Sequence, residues 1–199
     1  GSFGWHNLHT NNDTNFGKGF IYKDSYHNND LYMPDIYPIK PAHLYQPSSF
    51  YKTGQYIFGS FFNKLYEIKE KKNKSFKKIN VFSEAIASKN IYWSIMRSSG
   101  FIEVQYIIPY ENFNDFTIYL KKLIINSKAI TSVCITKPAS GKKKYFRFRN
   151  DGINIDITGI TNSININFFN KLNQSIDKFN GIPNISKCSI LTENTIKEC

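Results

Sequence analysis

From Phe101 onward the spacing of apolar residues switches repeatedly between two periods, and this succession limits the available folds more than any other feature. FIEVQYIIP (101–109) reads as a strand rich in β-branched and aromatic residues. In Tyr110–Asn126, Phe113, Phe116, Leu120, Leu123 and Ile124 recur at three- and four-residue steps, the stripe of an amphipathic helix. ITSVCITKP (130–138) returns to an extended pattern, SGKKKY (140–145) reads as a basic turn, and YFRFRND with GINIDITGI forms the next extended stretch. Ile153, Ile155 and Ile157 alternate strictly there. Ser163 is expected to cap a helix running through Asn180, with Phe168, Phe169, Leu172, Ile176 and Phe179 inward and Gly181 and Pro183 ending it. A short strand over 182–186 closes the series. The order β-α-β-β-α-β predicts an α+β fold, a ferredoxin-like split unit with an antiparallel sheet and both helices on one face.

The first hundred residues lack such periodicity. HNLHTNNDTN (6–15) is followed by Pro34, Pro38, Pro41 and Pro47 among aromatics, which reads as an irregular, extended N-terminal arm with short strands at GFIYK (19–23) and QYIFGSFF (55–62). LYEIKEKKNKSFKKINVF (65–82) suggests two strands around a basic turn. So long an irregular stretch is unusual in a self-contained unit. Residues 1–100 are therefore expected to form the arm of the same domain whose core is 101–199, packing on something beyond it.

FIEVQYIIP contains two polar residues, Glu103 and Gln105, two positions apart and so on one face of the strand. That face either meets water or lines a polar pocket. The formal net charge of +11 would attract phosphates, nucleic acid or anionic lipid without choosing among them. Three cysteines, Cys134, Cys188 and Cys199, have neither metal-ligand spacing nor an even count for a disulfide framework. Cys134, within an apolar run, reads as a small buried hydrophobe. His6, His9, His27 and His43 are spaced for no metal site. No run of eighteen apolar residues spans a membrane. A basic β-α-β-β-α-β unit also describes an RNA-recognition motif, the alternative reading as an RNA- or DNA-binding module. The third-strand string KKKYFRFRNDG lacks the glycine of that signature, and the nearest match, KGFIY (18–22), precedes the unit. Nucleic acid is accordingly not the expected partner.

The strings and their order resemble a known family. VQYIIP (104–109), RFRNDGINIDI (147–157) and FNGIPNISKCSILT (179–192) look like the substrate domain of FAD-linked oxidases of the aldonolactone-oxidase or vanillyl-alcohol-oxidase type, in the branch of decaprenylphosphoryl-ribose oxidase. Upstream, GWHNLHTNNDTNFGKGFIY (4–22), LYMPDIYP (31–38), YIFGSFFNKLYEIK (56–69) and NVFSEAIASKNIYW (80–93) fall in that family's order. The resemblance covers nearly the whole chain, although each string is short.

The resemblance implies the substrate-binding domain of an FAD-dependent oxidoreductase that oxidises a secondary alcohol of a sugar to a ketone, with a polyprenyl-phosphate-linked ribose as the family's example. FAD would be bound mainly by a separate domain of the same protein, and no glycine-rich phosphate loop occurs here. Alone, the domain would be inactive and would carry no catalytic residue of its own. Implied partners are that FAD-binding domain, a sugar or lipid-linked sugar, an epimerising reductase and an anionic membrane surface, in a cytoplasmic or inner-membrane-peripheral setting. By position, Gln105, Lys137, Asn154 and Lys187 match residues facing substrate or flavin; Glu103, Asp156 and Trp5 match flanking positions. On the residues alone, Gln105, Glu103, Lys137, Asn154, Asp156 and Lys187 can also be read as solvated side chains, and Trp5 as a packing residue. The chain departs from the family at Phe82-Ser83-Glu84-Ala85, at Asn184, where a tyrosine is usual, and at Glu103 and Asp156, which add acid where the family is neutral. Two carboxylates disfavour a phosphorylated sugar, so these departures point to a different sugar or polyol as the alternative.

Overall fold

The computed structural model describes residues 2–8, 16–23, 100–142 and 148–190, together with positions 64, 67, 68 and 71. Six strands form one antiparallel sheet: β1 (Ser2–His6), β2 (Gly19–Lys23), β3 (Phe101–Ile108), β4 (Thr131–Ala139), β5 (Gly152–Ile160) and β6 (Ile182–Pro183). Their order is β2-β1-β4-β5-β3-β6. Two helices of the 100–190 region are α1 (Tyr110–Ser127) and α2 (Ser163–Ser175), the latter continued by a 3₁₀ turn over Ile176–Phe179. Each helix carries the chain across one intervening strand, α1 from β3 past β5 to β4 and α2 from β5 past β3 to β6. The result is an α+β fold. GFIYK is a strand, as its sequence suggests, and with β1 it extends the sheet beyond β4.

Alternation on the central strands sends one set of side chains toward the helices. Ile102, Val104, Tyr106 and Ile108 of β3 and Ile155 and Ile157 of β5 pack in one cluster with Phe116, Leu120 and Ile124 of α1 and Phe168, Phe169 and Leu172 of α2. Phe116 meets Phe179 edge-on at 5.5 Å, joining the two helical segments. Asn165, fully buried, accepts from Ile130 N and donates to the Ile130 and Ile160 carbonyls, so the polar backbone where β4 begins and β5 ends is satisfied from the helix. Cys134 is buried as expected, and burial raises its thiol well above its ordinary pKa.

Several local expectations are corrected. The cap of α2 is Asn162, whose side chain accepts from Asn165 N; Ser163 is already helical. Both residue types cap well, but only Asn162 has the extended backbone that a cap requires. The helix gives way to 3₁₀ geometry before Asn180, which takes the left-handed conformation at φ 51. Pro183 lies in β6 rather than ending the helix, and β6 stops there because Asn184 Oδ1 accepts from Ser186 N and Oγ, turning the chain. Phe148–Asp151 lie outside β5, with Asp151 accepting from Gly141 N across the connection. Glu67, Ile68 and Lys71, read as strand and turn, are helical. A glutamate four residues ahead of a lysine favours a helix. QYIFGSFF, the strings over 31–38 and 80–93, residues 145–147, His9, His27, His43 and Cys199 lie outside the described residues.

Candidate functional site

Residues opposite one another in an antiparallel ladder share a face. Gln105 pairs with Asp156, Asp156 with Ile135, Ile135 with Trp5 and Trp5 with Phe20, a single transverse row across five strands. It lies on the face turned away from the helices, since its β3 and β5 members alternate with the core residues. Glu103 opposite Thr158, and Asn154 between Ile107 and Lys137, occupy the flanking rows of the same face.

The polar side chains converge at the β3–β5 end. Lys187, on the turn after β6, reaches Glu103 Oε1 at 3.2 Å and Asp156 Oδ2 at 3.3 Å. Gln105 Nε2 donates to the same Asp156 oxygen at 3.3 Å, and Asn184 Nδ2 donates to Gln105 Oε1. The polarity of this chain is fixed from both ends. Ser186 N can only donate, which assigns Asn184 Oδ1 as the acceptor there; an ionised Asp156 can only accept, which assigns Nε2 of Gln105 to it. The turn itself hangs on the backbone of the two residues that open the face. Asn184 N donates to Gln105 O at 2.8 Å and Ser189 N to Glu103 O at 2.8 Å, while Ser189 Oγ accepts from Glu103 N. Cys188 Sγ accepts from Gln105 N and donates to its carbonyl.

The electrostatics follow from partial burial of unequal charges. Asp156 is raised from its ordinary 3.8 to about 6, chiefly by burial and next by Glu103 beside it, with Lys187 pulling the other way. Burial works against the Lys187 ammonium, but Asp156 and Glu103 together raise its affinity for the proton. Burial likewise pushes the Cys188 thiol up to about 11. With both carboxylates ionised, the triad carries one more negative charge than positive.

Of the seven residues singled out from sequence, Gln105, Glu103, Asp156 and Lys187 form one connected cluster. Asn154 lies two positions along β5 from Asp156, on the same face, and its Oδ1 is buried without a hydrogen-bond partner. Lys137 stands opposite Asn154 and is exposed. Trp5 shares the row of Asp156 but lies two strands away, about 10 Å at ordinary strand spacing, and packs on Phe20 at 6.1 Å. Sequence reasoning missed the roles of Asn184, Ser189 and Thr158. Thr158 continues the 154/156 alternation of GINIDITGI and could have been found from it. Asn184 was visible only as a departure at a family position.

FAD, the cofactor implied by the resemblance, has two parts with different needs. Its phosphates need backbone N–H groups or cations gathered at a helix start. Among the described residues, α1 follows Pro109 as its N-cap and has Glu111 in its first turn, and the start of α2 is closed by the side chain of Asn162. Neither suits a pyrophosphate. Asn154 Oδ1 is buried without a partner and Lys137 stands opposite it, one acceptor and one cation. The described residues hold no cradle for the dinucleotide. No protein-family profile matches this chain, and no curated protein matches it.

Proposed function

We propose that this chain is the substrate-facing domain of an FAD-dependent oxidoreductase acting on a secondary alcohol of a sugar, built on a ferredoxin-like unit. The strand order β4-β5-β3-β6, all antiparallel, supports the ferredoxin-like assignment. The observation that carries the functional reading is the convergence of Gln105, Asp156, Glu103 and Lys187, four positions named by resemblance, in one hydrogen-bonded cluster on one sheet face. Flavin, when bound, would supply the hydride acceptor. Gln105 and Asn154 would orient substrate hydroxyls, and Asp156 and Glu103 would accept hydrogen bonds from them. Lys187, held between two acids, contributes position more than free positive charge. The FAD-binding domain, a reductase partner and contact with a membrane surface belong to this proposal; no helix among the described residues is long and apolar enough to cross a membrane.

A nucleic-acid-binding module has less support. The central strands β3 and β5 carry carboxylates on the face turned away from the helices, whereas an RNA-binding sheet stacks bases on aromatics there. Phe3, Trp5, Phe20 and Tyr22 lie instead on β1 and β2.

The test is spectroscopic. Protein made from the whole gene is expected to copurify with yellow flavin that bleaches anaerobically on adding the sugar substrate. Lys187→Ala and Gln105→Ala should retain flavin and lose bleaching. A colourless protein, or bleaching unchanged in both variants, ends the proposal.

A further inference from the structure

We infer that the face around Asp156 is built for a ligand that brings a cationic ammonium group alongside hydroxyls, an amino sugar being the simplest, and not for a phosphorylated one. The inference rests on the proposed function only in taking this face as the one that meets substrate.

Three observations carry it. Glu103 and Asp156 converge on a single ammonium, that of Lys187, at 3.2 and 3.3 Å. Two carboxylates placed to share one ammonium hold it by charge-assisted hydrogen bonds, the strong kind. Lys187 occupies that position on a flexible stem with 44% of its side chain exposed, so a ligand ammonium can take its place or share the pair. The Glu103–Asp156–Lys187 triad carries one net negative charge on a chain of net +11, so the pairing of two acids does not follow from bulk composition.

The third observation concerns unmet hydrogen bonds. Asn154, Asp156 and Thr158 form a row along β5, all on this face. Asp156 in the middle receives two donors, from Lys187 and Gln105. On either side, Asn154 Oδ1 and Thr158 Oγ1 are buried with no hydrogen-bond partner. Thr158 is 1% exposed and lies directly opposite Glu103. Buried polar atoms are normally paired; Asn154 Oδ1 needs a donor and the Thr158 hydroxyl can donate or accept, and a ligand hydroxyl can serve both. A phosphate would bring further oxygens and further negative charge to the same place.

The experiment titrates the 199-residue chain near neutral pH with D-glucosamine, D-glucose and a glucose monophosphate, following binding by calorimetry. Glucosamine is expected to bind about tenfold tighter than glucose, the worth of one charge-assisted hydrogen bond, with the phosphate weaker than both. The global charge works the other way, since a basic protein attracts the phosphate, so this ranking can come only from the local site. Asp156→Asn, which preserves shape, should bring glucosamine down to the level of glucose, and Glu103→Gln should do so in part. Equal binding of glucosamine and glucose, preference for the phosphate, absence of saturable binding, or a preference untouched by both variants would each overturn the inference. Glucosamine binding by a protein whose whole gene yields no flavin would retire the oxidase proposal and leave this one standing. A flavoprotein that prefers the phosphorylated sugar would do the reverse.

Discussion

Replacing Asp156 by Asn should make the folded protein more stable at neutral pH, although it removes a charged group from an ion triad. Asp156 is raised from 3.8 to about 6, chiefly by burial. A carboxyl with a folded pKa above its unfolded one binds its proton more tightly in the folded state. Its contribution to stability is therefore fully present below about pH 4 and is lost as pH rises through about 6. The gap between about 6 and 3.8 corresponds to about 3 kcal/mol lost by pH 7.5. Asparagine has no proton to lose, and its Oδ1 can still accept from Gln105 and Lys187. Asp156→Asn should thus recover up to about 3 kcal/mol near pH 7.5, or about 6–12 °C in Tm for a chain of this size. At about pH 4 the two proteins should differ little. Urea unfolding followed by circular dichroism across this range measures both arms. A variant less stable than the parent near neutrality, or a gain that persists undiminished in acid, would show that Lys187 outweighs desolvation and that the reasoning is wrong.

Lys187→Ala removes the cation that holds Asp156 down, so the Asp156 midpoint should climb above about 6, read from its carboxyl carbon in an NMR titration; an unmoved midpoint would mean the ion triad does not form. Asn165→Ala strips three hydrogen bonds from buried backbone groups and should cost about 3 kcal/mol in urea unfolding, whereas a loss below about 1 kcal/mol would remove Asn165 from its bridging role. Gly19→Ala would place a Cβ 1.7 Å from Trp5 O, so the hairpin cannot keep its register; Tm should fall and tryptophan fluorescence shift, and a variant with parental values of both would refute that pairing. Cys134 and Cys188 are buried with thiols raised, Cys188 to about 11, so neither should react with a thiol reagent near neutral pH until the protein is unfolded.

The helices were legible because their apolar stripes are long enough to outvote local exceptions: Phe116, Leu120 and Ile124 on α1 and Phe168, Phe169, Leu172 and Ile176 beyond Asn162 are the residues found buried. Boundaries were less so, since neighbouring Asn162 and Ser163 are both good caps and only the backbone decides between them. At 67–71 a run of charges hid the four-residue spacing of Glu67 and Lys71. For the site, alternation showed that Glu103 and Gln105 share a face, and likewise Asn154 and Asp156. What alternation cannot show is register. Gln105 meets Asp156 across 51 residues and Lys187 meets Glu103 across 84, and those pairings are set by how the helices seat the strands.

Glu103 and Gln105 serve the site twice, with side chains that form its floor and main-chain groups that suspend residues 184–190 above it. One wall of the site is consequently a detachable piece. Grafting a different sequence between Pro183 and Ile190 could exchange the Lys187 ammonium and the Asn184 amide that contact Glu103, Gln105 and Asp156 without disturbing a single ladder contact of β3 with β5. Divergence in specificity among proteins of this architecture has an inexpensive route through that short turn, and directed evolution could begin there.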